Sequence, residues 1–568
     1  MRSRLFGVEK FKGLLLAGSF STLMEFLMGL SDSVVAGNIL GESALAGVNL
    51  VSPVMSAVTF FAGLVGVGMG VNYSYESGRC DLARARQFFS QGLWTVLAVG
   101  AALVAALMLG RDAFIGFMDP SPEIAAHAAS YWRWYVPTGA MEPAVVLLVN
   151  VAMADGDVRL CFLCYVVQLV VNIGISFAAV KYLGMGVGGC SFGTFVTYAV
   201  AVALLSCHFL KKSNTFRLAA HFSLRDTVKI VKSSFGDASS FLCTAVLFFF
   251  LNKFVIANYG SGVLPVLSAV IATIGFLEVF NGVGAAVAPI VIVYVGERNT
   301  KAVRAMMRVA DRWAVAEGLS LAALLAAFPQ LVVRLVGIVD PALASAAAAA
   351  VRFVSVGLVF YSIVYLYNSY YIFISHEMLA VAVTVLNGLV MPVALVSLLG
   401  RFGLSWVWAS LAAAPVAAMA LCAGYLVLRY GPRRFPLLLP LGRDANITVF
   451  NLNLSEREIA ETAAKVAERL KEARVDALKA MRASLMTEEV LMAVKDRNAG
   501  RDVIAEVTLD LNEGVQLTLR DSGEIFDITD TDAHISSLRT FLVASVMERQ
   551  AVRKNLVTTG FNRNIFRF

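Results

Sequence analysis

The sequence predicts a polytopic all-α membrane body of twelve transmembrane helices in two six-helix lobes, followed by a C-terminal cytoplasmic α+β domain. Three observations predict it. Of 568 residues, 58% are hydrophobic and 15% charged, with a mean hydropathy of +0.73. A soluble domain is roughly 45–50% apolar and about 25% charged. The charge is uneven: residues 441–568 hold 38 Asp, Glu, Lys and Arg, and the first 440 residues hold 49. Apolar runs of about 20 residues, enough to cross a bilayer, recur along the first part only. One ordinary globular fold and a single-helix receptor are both excluded.

The twelve runs are 13–38, 45–74, 88–110, 124–152, 160–182, 187–210, 236–258, 263–295, 312–337, 343–374, 378–400 and 404–429. The first is too long for a signal-peptide core and lacks a small-residue cleavage site, so it is expected to be a true span. Basic residues alternate between loops. Arg2, Arg4, Lys10 and Lys12 precede run 1, and Arg79, Arg84 and Arg86 follow run 2. Six Lys and Arg between 211 and 232 follow run 6; Arg298, Lys301, Arg304 and Arg308 follow run 8. Arg429, Arg433 and Arg434 follow run 12, while the intervening loops are nearly free of Lys and Arg. The positive-inside rule then puts both termini in the cytoplasm. The membrane part carries the basic surplus, since the tail has 18 basic and 20 acidic residues. A surplus held in short loops orients a membrane protein and gives no reason to invoke nucleic acid. The seven Cys lie mostly inside apolar runs, Cys161-x-x-Cys164 included, and the five His are scattered, so no metal site is expected.

The halves resemble each other at an offset of about 220 residues. Asp119-Pro120 followed by AAHAASYWRWYV answers Asp340-Pro341 followed by SAAAAAVRFVSV, and ESGRCDLARAR answers GERNTKAVRAMMR. An offset of six spans makes a parallel repeat, the plan of many secondary transporters. There is no P-loop to serve as an ATP motor in the membrane part.

Carboxylates inside a bilayer cost at least about 2.5–3.5 kcal/mol each, so those present are candidate sites. Glu25 and Asp32 share one face of run 1, seven residues apart. Two carboxyls in one cavity suit a proton acceptor; with Asn150, Asn172 and Thr194 they could instead form an oxygen cage for Na⁺. Asn252 stands where the repeat places the partner of Asp32, which confines the acidic function to the first half. Glu142, before Pro143, and Glu278 are further cavity candidates, as are Tyr361, Tyr365 and Asn368 in run 10. An aromatic wall suits bulky cationic or amphiphilic solutes; an interfacial aromatic belt is the alternative reading.

SDSVVAGNILGESALAGVNLVSPV, MADGD at 153–157 and GMGVGGCSFGT together resemble the MATE family of multidrug and toxin extruders, especially its bacterial branch, over residues 10–435. The resemblance implies an antiporter exporting organic compounds against inward H⁺ or Na⁺. The family's cation site implies Asp32, Asn172 and Thr194 here, with Ser176 where the family has a second Asp; Glu25 is the candidate to stand in for that lost charge.

In the tail, ITVFNLNL alternates like a strand, and Ser455 with Glu458 forms a capping box opening a charged helix. VIAEVTLDL and GVQLTLR read as a hairpin turning through 512–514. TEEVLMAVKDRN and RDSGEIFD resemble the GHKL ATPase family. That resemblance implies Glu489, Asp521, Gly523 and Asp527 as nucleotide-binding candidates, with Ala493 in place of the Mg²⁺-holding Asn and no glycine lid.

The expected organisation is residues 1–215 as the first lobe, 216–440 as the second and 441–568 as a regulatory GHKL-like domain with a possible nucleotide or protein partner. The expected function is antiport of small organic solutes across a bacterial inner membrane, not enzyme catalysis, with no cofactor required. The alternatives are a lipid-linked precursor flippase, for which Lys253 and Arg352 offer few cavity cations, and a membrane-anchored sensor.

Overall fold

The computed structural model describes residues 6–78, 81–154, 157–211, 216–219, 221–296, 299–374, 376–440, 446–512, 514–524 and 562–568, and leaves some side chains within its helices undescribed, those of Glu25 and Glu278 among them. The chain divides into two compact units. One comprises residues 18–284 and 313–424; the other comprises residues 1–17, 285–312 and 425–568.

The helices in order are α1 (Phe6–Leu40), α2 (Glu42–Leu50), α3 (Ser52–Gly78), α4 (Leu82–Met118), α5 (Pro122–Tyr135), α6 (Thr138–Ala154), α7 (Val158–Lys181) and α8 (Gly188–Ser206). After a linking segment come α9 (Leu224–Tyr259), α10 (Leu264–Gly275), α11 (Asn281–Gly296), α12 (Thr300–Ala327) and α13 (Gln330–Leu335). The last membrane-type helices are α14 (Pro341–Phe373), α15 (Glu377–Val385), α16 (Met391–Leu399) and α17 (Leu404–Tyr430).

Among the described residues, nine helices are long and apolar enough to cross a membrane, and α5 with α6 makes a tenth, bent by 51°. Every apolar run of the sequence falls on a helix or a broken helix. The breaks have local causes. Pro137 separates α5 from α6, and Pro329 precedes α13, because proline lacks the N–H that the ladder needs. A π-helical turn at Leu386–Val390 joins α15 to α16 just before Pro392. Run 8 is divided into α10, a 3₁₀ turn and α11, each shorter than a full span, and α12 opens with charged residues. These two runs therefore fail the length and hydropathy test for a single span.

The repeated Asp-Pro pairs cap different things. Asp119 ends α4 in the left-handed conformation (φ 54°), and Ser121-Pro122 opens α5. Asp340 opens α14, its carboxylate accepting from Leu343 N at 2.9 Å, with Pro341 at the first helical position.

Within the larger unit, close backbone approaches join early and late helices at opposite ends of the bundle. Near the C-terminus of α1, a Cβ on Gly37 would lie 1.8 Å from Val336 O. There Asn38 Nδ2 donates to Leu335 O at 2.8 Å, and Glu42 Oε1 accepts from Val339 N and Asp340 N at 2.7 and 2.6 Å. Toward the C-terminus of α3, a Cβ on Gly68 would lie 2.2 Å from Ile230 O of α9, and Ser234 Oγ donates to Leu64 O at 2.6 Å.

The other unit holds a four-stranded antiparallel sheet, ordered β1 (Ile447–Asn453), β2 (Ile504–Asp510), β3 (Gln516–Asp521) and β4 (Asn562–Arg567), with α18 (Glu456–Glu472) and α19 (Ala477–Arg497). One face carries Ala505, Val507, Leu509, Leu517, Leu519 and Phe566, which pack with Ile459, Val466 and Val490 of the two helices. The capping box forms with a shifted return: Glu458 N donates to Ser455 Oγ at 3.2 Å, but the Glu458 carboxylate accepts from Asn453 N at 2.8 Å.

The opposite face is polar and also buried. Register sets Asn451, Glu506, Arg520 and Arg563 side by side in one row across the four strands. Arg520 is 1% and Glu506 2% exposed. Arg520 Nη1 donates to Glu506 Oε1, and Tyr294 of α11 donates its hydroxyl to Glu506 Oε2 at 2.8 Å. The Arg520 guanidinium lies 4.7 Å over the Tyr294 ring. Phe6 N of α1 donates to Asn451 Oδ1 at 2.9 Å, and Lys301 Nζ of α12 donates to Ile447 O at 2.7 Å. The termini of α1, α11 and α12 thus cover the face that alternation would leave to solvent.

Candidate functional site

Asp32 of α1 lies at the meeting of four helices and is 3% exposed. Its Oδ2 accepts from the Tyr131 hydroxyl of α5 at 2.7 Å and from Thr194 Oγ1 of α8 at 2.8 Å. Asn172 Nδ2 of α7 donates to Thr194 Oγ1 at 3.0 Å, so the Thr194 proton is left to point at the carboxylate. The Ser31 hydroxyl donates to Asn172 Oδ1 and fixes that amide. Asp32 Oδ1 is buried and makes no hydrogen bond among the described residues. No cationic side chain is among the partners of this carboxyl. Chemically, this is one carboxyl oxygen held by neutral hydroxyls and one free to take a proton or to ligate a small cation.

The structure brings Asp32, Asn172 and Thr194 together and leaves Ser176 outside that set. Ser176 is fully buried and donates to Cys190 O at 3.2 Å, and a Cβ on Gly193 would lie 2.1 Å from its Oγ. It sits in the close packing of α7 on α8. The Glu25 side chain lies outside the described residues, as does that of Glu278.

The remaining candidates are dispersed. Asn150 donates to Val146 O at 2.9 Å in its own helix and sits against Gly70 of α3. Asn252 of α9 donates to Asn49 O at 3.4 Å, and Asn49 Nδ2 reaches Ser33 Oγ at 3.3 Å, one residue beyond Asp32. Tyr361 belongs to the main apolar core, Tyr365 packs against it, and Asn368 Oδ1 has no hydrogen bond among the described residues. Glu142 of α6 is 5% exposed and forms a second buried carboxyl centre, accepting from Thr59 Oγ1 of α3 at 2.6 Å and from the Tyr135 hydroxyl.

Tyr131, Tyr135 and Thr59 were not among the residues that sequence reasoning selected. Their signal was present in SYWRWY, where Tyr131 and Tyr135 are four residues apart and so share a helix face.

Outside the spans, Asp226 at the start of α9 accepts from Arg84 Nη2 of α4 at 2.6 Å and lies 2.7 Å from His221 Nε2. Burial pushes this carboxyl up, but the hydrogen bonds from His221 and Arg84 outweigh it and hold it below its ordinary value.

In the tail, Asp521 Oδ1 accepts from Gly523 N at 3.0 Å and from Asn562 Nδ2 of β4 at 2.8 Å. A Cβ on Gly523 would lie 2.5 Å from Asn498 Nδ2, and Asn498 Oδ1 accepts from Glu524 N at 2.8 Å. Asp521 and Gly523, the residues implied for a base, are thus flanked by Asn562 and Asn498. Glu489 is half-buried in α19, and Asp527 lies outside the described residues.

The bent pair α5–α6 thus brings Tyr131 to a carboxyl buried where α1, α5, α7 and α8 meet. Comparison with known proteins shows what the chain is similar to. A family model described as MatE matches residues 18–178. Protein DETOXIFICATION 3 of Arabidopsis thaliana is 25% identical over 251 residues, covering 43% of this chain and 50% of that protein. The chain thus spans about half the length of that curated relative. Among solved structures, an inward-facing multidrug resistance MATE family transporter of the MOP superfamily superposes with a TM-score of 0.66 at 21% identity, covering 71% of this chain and 94% of that one. A MOP superfamily transporter from Pyrococcus furiosus, noted for the reversed polarity of its binding pocket, gives a TM-score of 0.63 at 20% identity, covering 74% and 96%. The chain carries the MATE transporter fold, and its residues 18–178 carry the family's sequence pattern as well. Members of that family are transporters and not enzymes.

Proposed function

We propose that the chain is a secondary active antiporter that exports organic, cationic or amphiphilic compounds in exchange for H⁺. The observation that carries this reading is Asp32, buried, with Oδ2 held by Tyr131 and Thr194 and Oδ1 unpaired. H⁺ is preferred to Na⁺ because Ser176, where the family has a second acid, turns to α8 and adds no charge to the set. Twelve spans, in lobes 1–215 and 216–440, rock about a central cavity with both termini cytoplasmic, in a membrane of the bacterial inner type. The alternating basic loops support that orientation.

The tail, residues 441–568, is proposed to regulate transport through its polar face. Its row of Asn451, Glu506, Arg520 and Arg563 meets the last turn of α11, where a cation also complements the helix dipole. The tail is assigned no nucleotide step.

The test is uptake and efflux of an aromatic cation such as ethidium in proteoliposomes with imposed H⁺ or Na⁺ gradients. Asp32→Asn is expected to abolish pH-gradient-driven efflux. Efflux at the wild-type rate in that variant would sink the reading, and efflux driven by Na⁺ alone would replace the coupling ion.

A further inference from the structure

Beyond Asp32, we infer that Glu142 is a second proton-carrying carboxyl, joined to Asp32 through the Tyr131–Tyr135 pair. The inference rests on the antiport reading and deepens it. Two buried carboxyls each hold a tyrosine of α5: Tyr131 donates to Asp32 at 2.7 Å, and Tyr135 donates to Glu142. The two rings stack, with centroids 5.9 Å apart and planes at 20°. One turn of one helix therefore links both centres, and a change at either carboxyl acts on the same element.

The local backbone favours such a site. Glu142 lies one turn into α6, just past the break at Pro137, so an unwound segment and a helix N-terminus sit within the span. Broken spans of this kind carry ion sites in secondary transporters because backbone polar groups and the positive helix end face the cavity. A second observation also points to a ligand. Thr138 Oγ1, four residues before Glu142 and so on the same helix face, is fully buried and has no hydrogen-bond partner among the described residues.

Among the described residues, none that is named as a partner of Glu142 is a counter-charge. The titratable and charged groups that the surrounding elements bring to the pair are Tyr131 and Tyr135 of α5, Tyr198 and Cys190 of α8, Asp32 of α1 and Cys164 of α7. From α3 come Thr59 and Met55. No Lys, Arg or His is among these residues. A carboxylate without a counter-ion in the bilayer interior costs several kcal/mol, so binding a proton is the neutralisation open to it. The proton enters as H⁺ on a Glu142 carboxyl oxygen and leaves as H⁺ when the cavity opens to the other side. No bond other than O–H forms or breaks.

Two readouts test this in the full chain. In infrared difference spectra recorded against pH, the wild type is expected to show a protonated-carboxyl C=O band from each of these two groups. Glu142→Gln should remove one and Asp32→Asn the other. In ethidium-loaded proteoliposomes, the proton-to-ethidium ratio from reversal gradients should fall about twofold in Glu142→Gln, with efflux retained. If Glu142→Gln does not fold, Thr59→Val with Tyr135→Phe should shift the second band and leave the first in place. A full set of bands and an unchanged ratio in Glu142→Gln would overturn the role of Glu142 and leave Asp32 untouched. Failure of Asp32→Asn alone to change either readout would instead overturn the antiport reading.

Discussion

At the scale of single residues, the hydroxyls decide what Asp32 can do. Tyr131 and Thr194 both donate to one oxygen, so the carboxyl is held in a single orientation with Oδ1 presented to its surroundings. A hydrogen bond to a charged group contributes about 1.5–3 kcal/mol, which is roughly ten- to hundredfold in a rate or an affinity. Tyr131→Phe removes one such bond without opening a large cavity. Ethidium efflux driven by a pH gradient should fall by about tenfold, and an unaltered rate would show that Tyr131 only fills space. Asp226 gives the pH-dependent counterpart. Its carboxyl is held below its ordinary 3.8 by His221 and Arg84, which outweigh burial. Its contribution to stability is therefore present above 3.8 and lost as pH falls through the lower, folded-state value. Asp226→Asn should lower the thermal midpoint at neutral pH by the equivalent of about 1–3 kcal/mol, and the gap to wild type should close in acid. Asp32 was legible in the sequence because an intramembrane acid demands a reason, and Asn172 and Thr194 followed from family resemblance. Tyr131 was not legible, since SYWRWY reads equally well as an interfacial belt until α5 is seen against α1.

At the scale of elements, apolar runs located the helices well and their breaks poorly. Hydropathy is blind to Pro137 and Pro329, where the backbone departs from the helix while composition stays apolar. In the tail, alternation found β1, β2 and β3. It missed β4, whose NRNIFR carries arginines on a strand that lies beside β3. The polar face of the sheet shows why: its burial depends on α1, α11 and α12, which no strand pattern encodes. Breaking a buried ion pair by removing one partner costs about 3–5 kcal/mol, whereas replacing both by apolar groups is often neutral. Glu506→Ala leaves Arg520 buried beside Tyr294. Hydrogen exchange in β2 and β3 of the full chain should then accelerate strongly, while Glu506→Leu with Arg520→Met should exchange nearly as slowly as wild type. Equal protection in all three chains would show that the row adds nothing to the hold on α11.

At the scale of the whole larger unit, two glycine contacts act as opposed stops. Gly37 meets Val336 O at one end of the bundle, and Gly68 meets Ile230 O at the other, each too close for any side chain. Both contacts are made in the same structure, and Asp32, Asn49 and Asn252 are buried in it. In the proposed alternating access, one contact breaks while the other holds. Interior packing is dense and yields little, so a single methyl group at either glycine disfavours its own contact by about 1–3 kcal/mol and leaves the other intact. The two substitutions should therefore bias the equilibrium in opposite directions. In a chain whose native cysteines are replaced, Asn252→Cys reports access to the buried centre. With Gly37→Ala, it should become reactive to a membrane-impermeant thiol reagent added on the side of the α1 C-terminus. With Gly68→Ala, reactivity should instead rise from the opposite side. Reactivity from the same side in both variants would mean that the glycines do not form two separate stops, and the burial of Asn252 would then have to be explained by packing elsewhere.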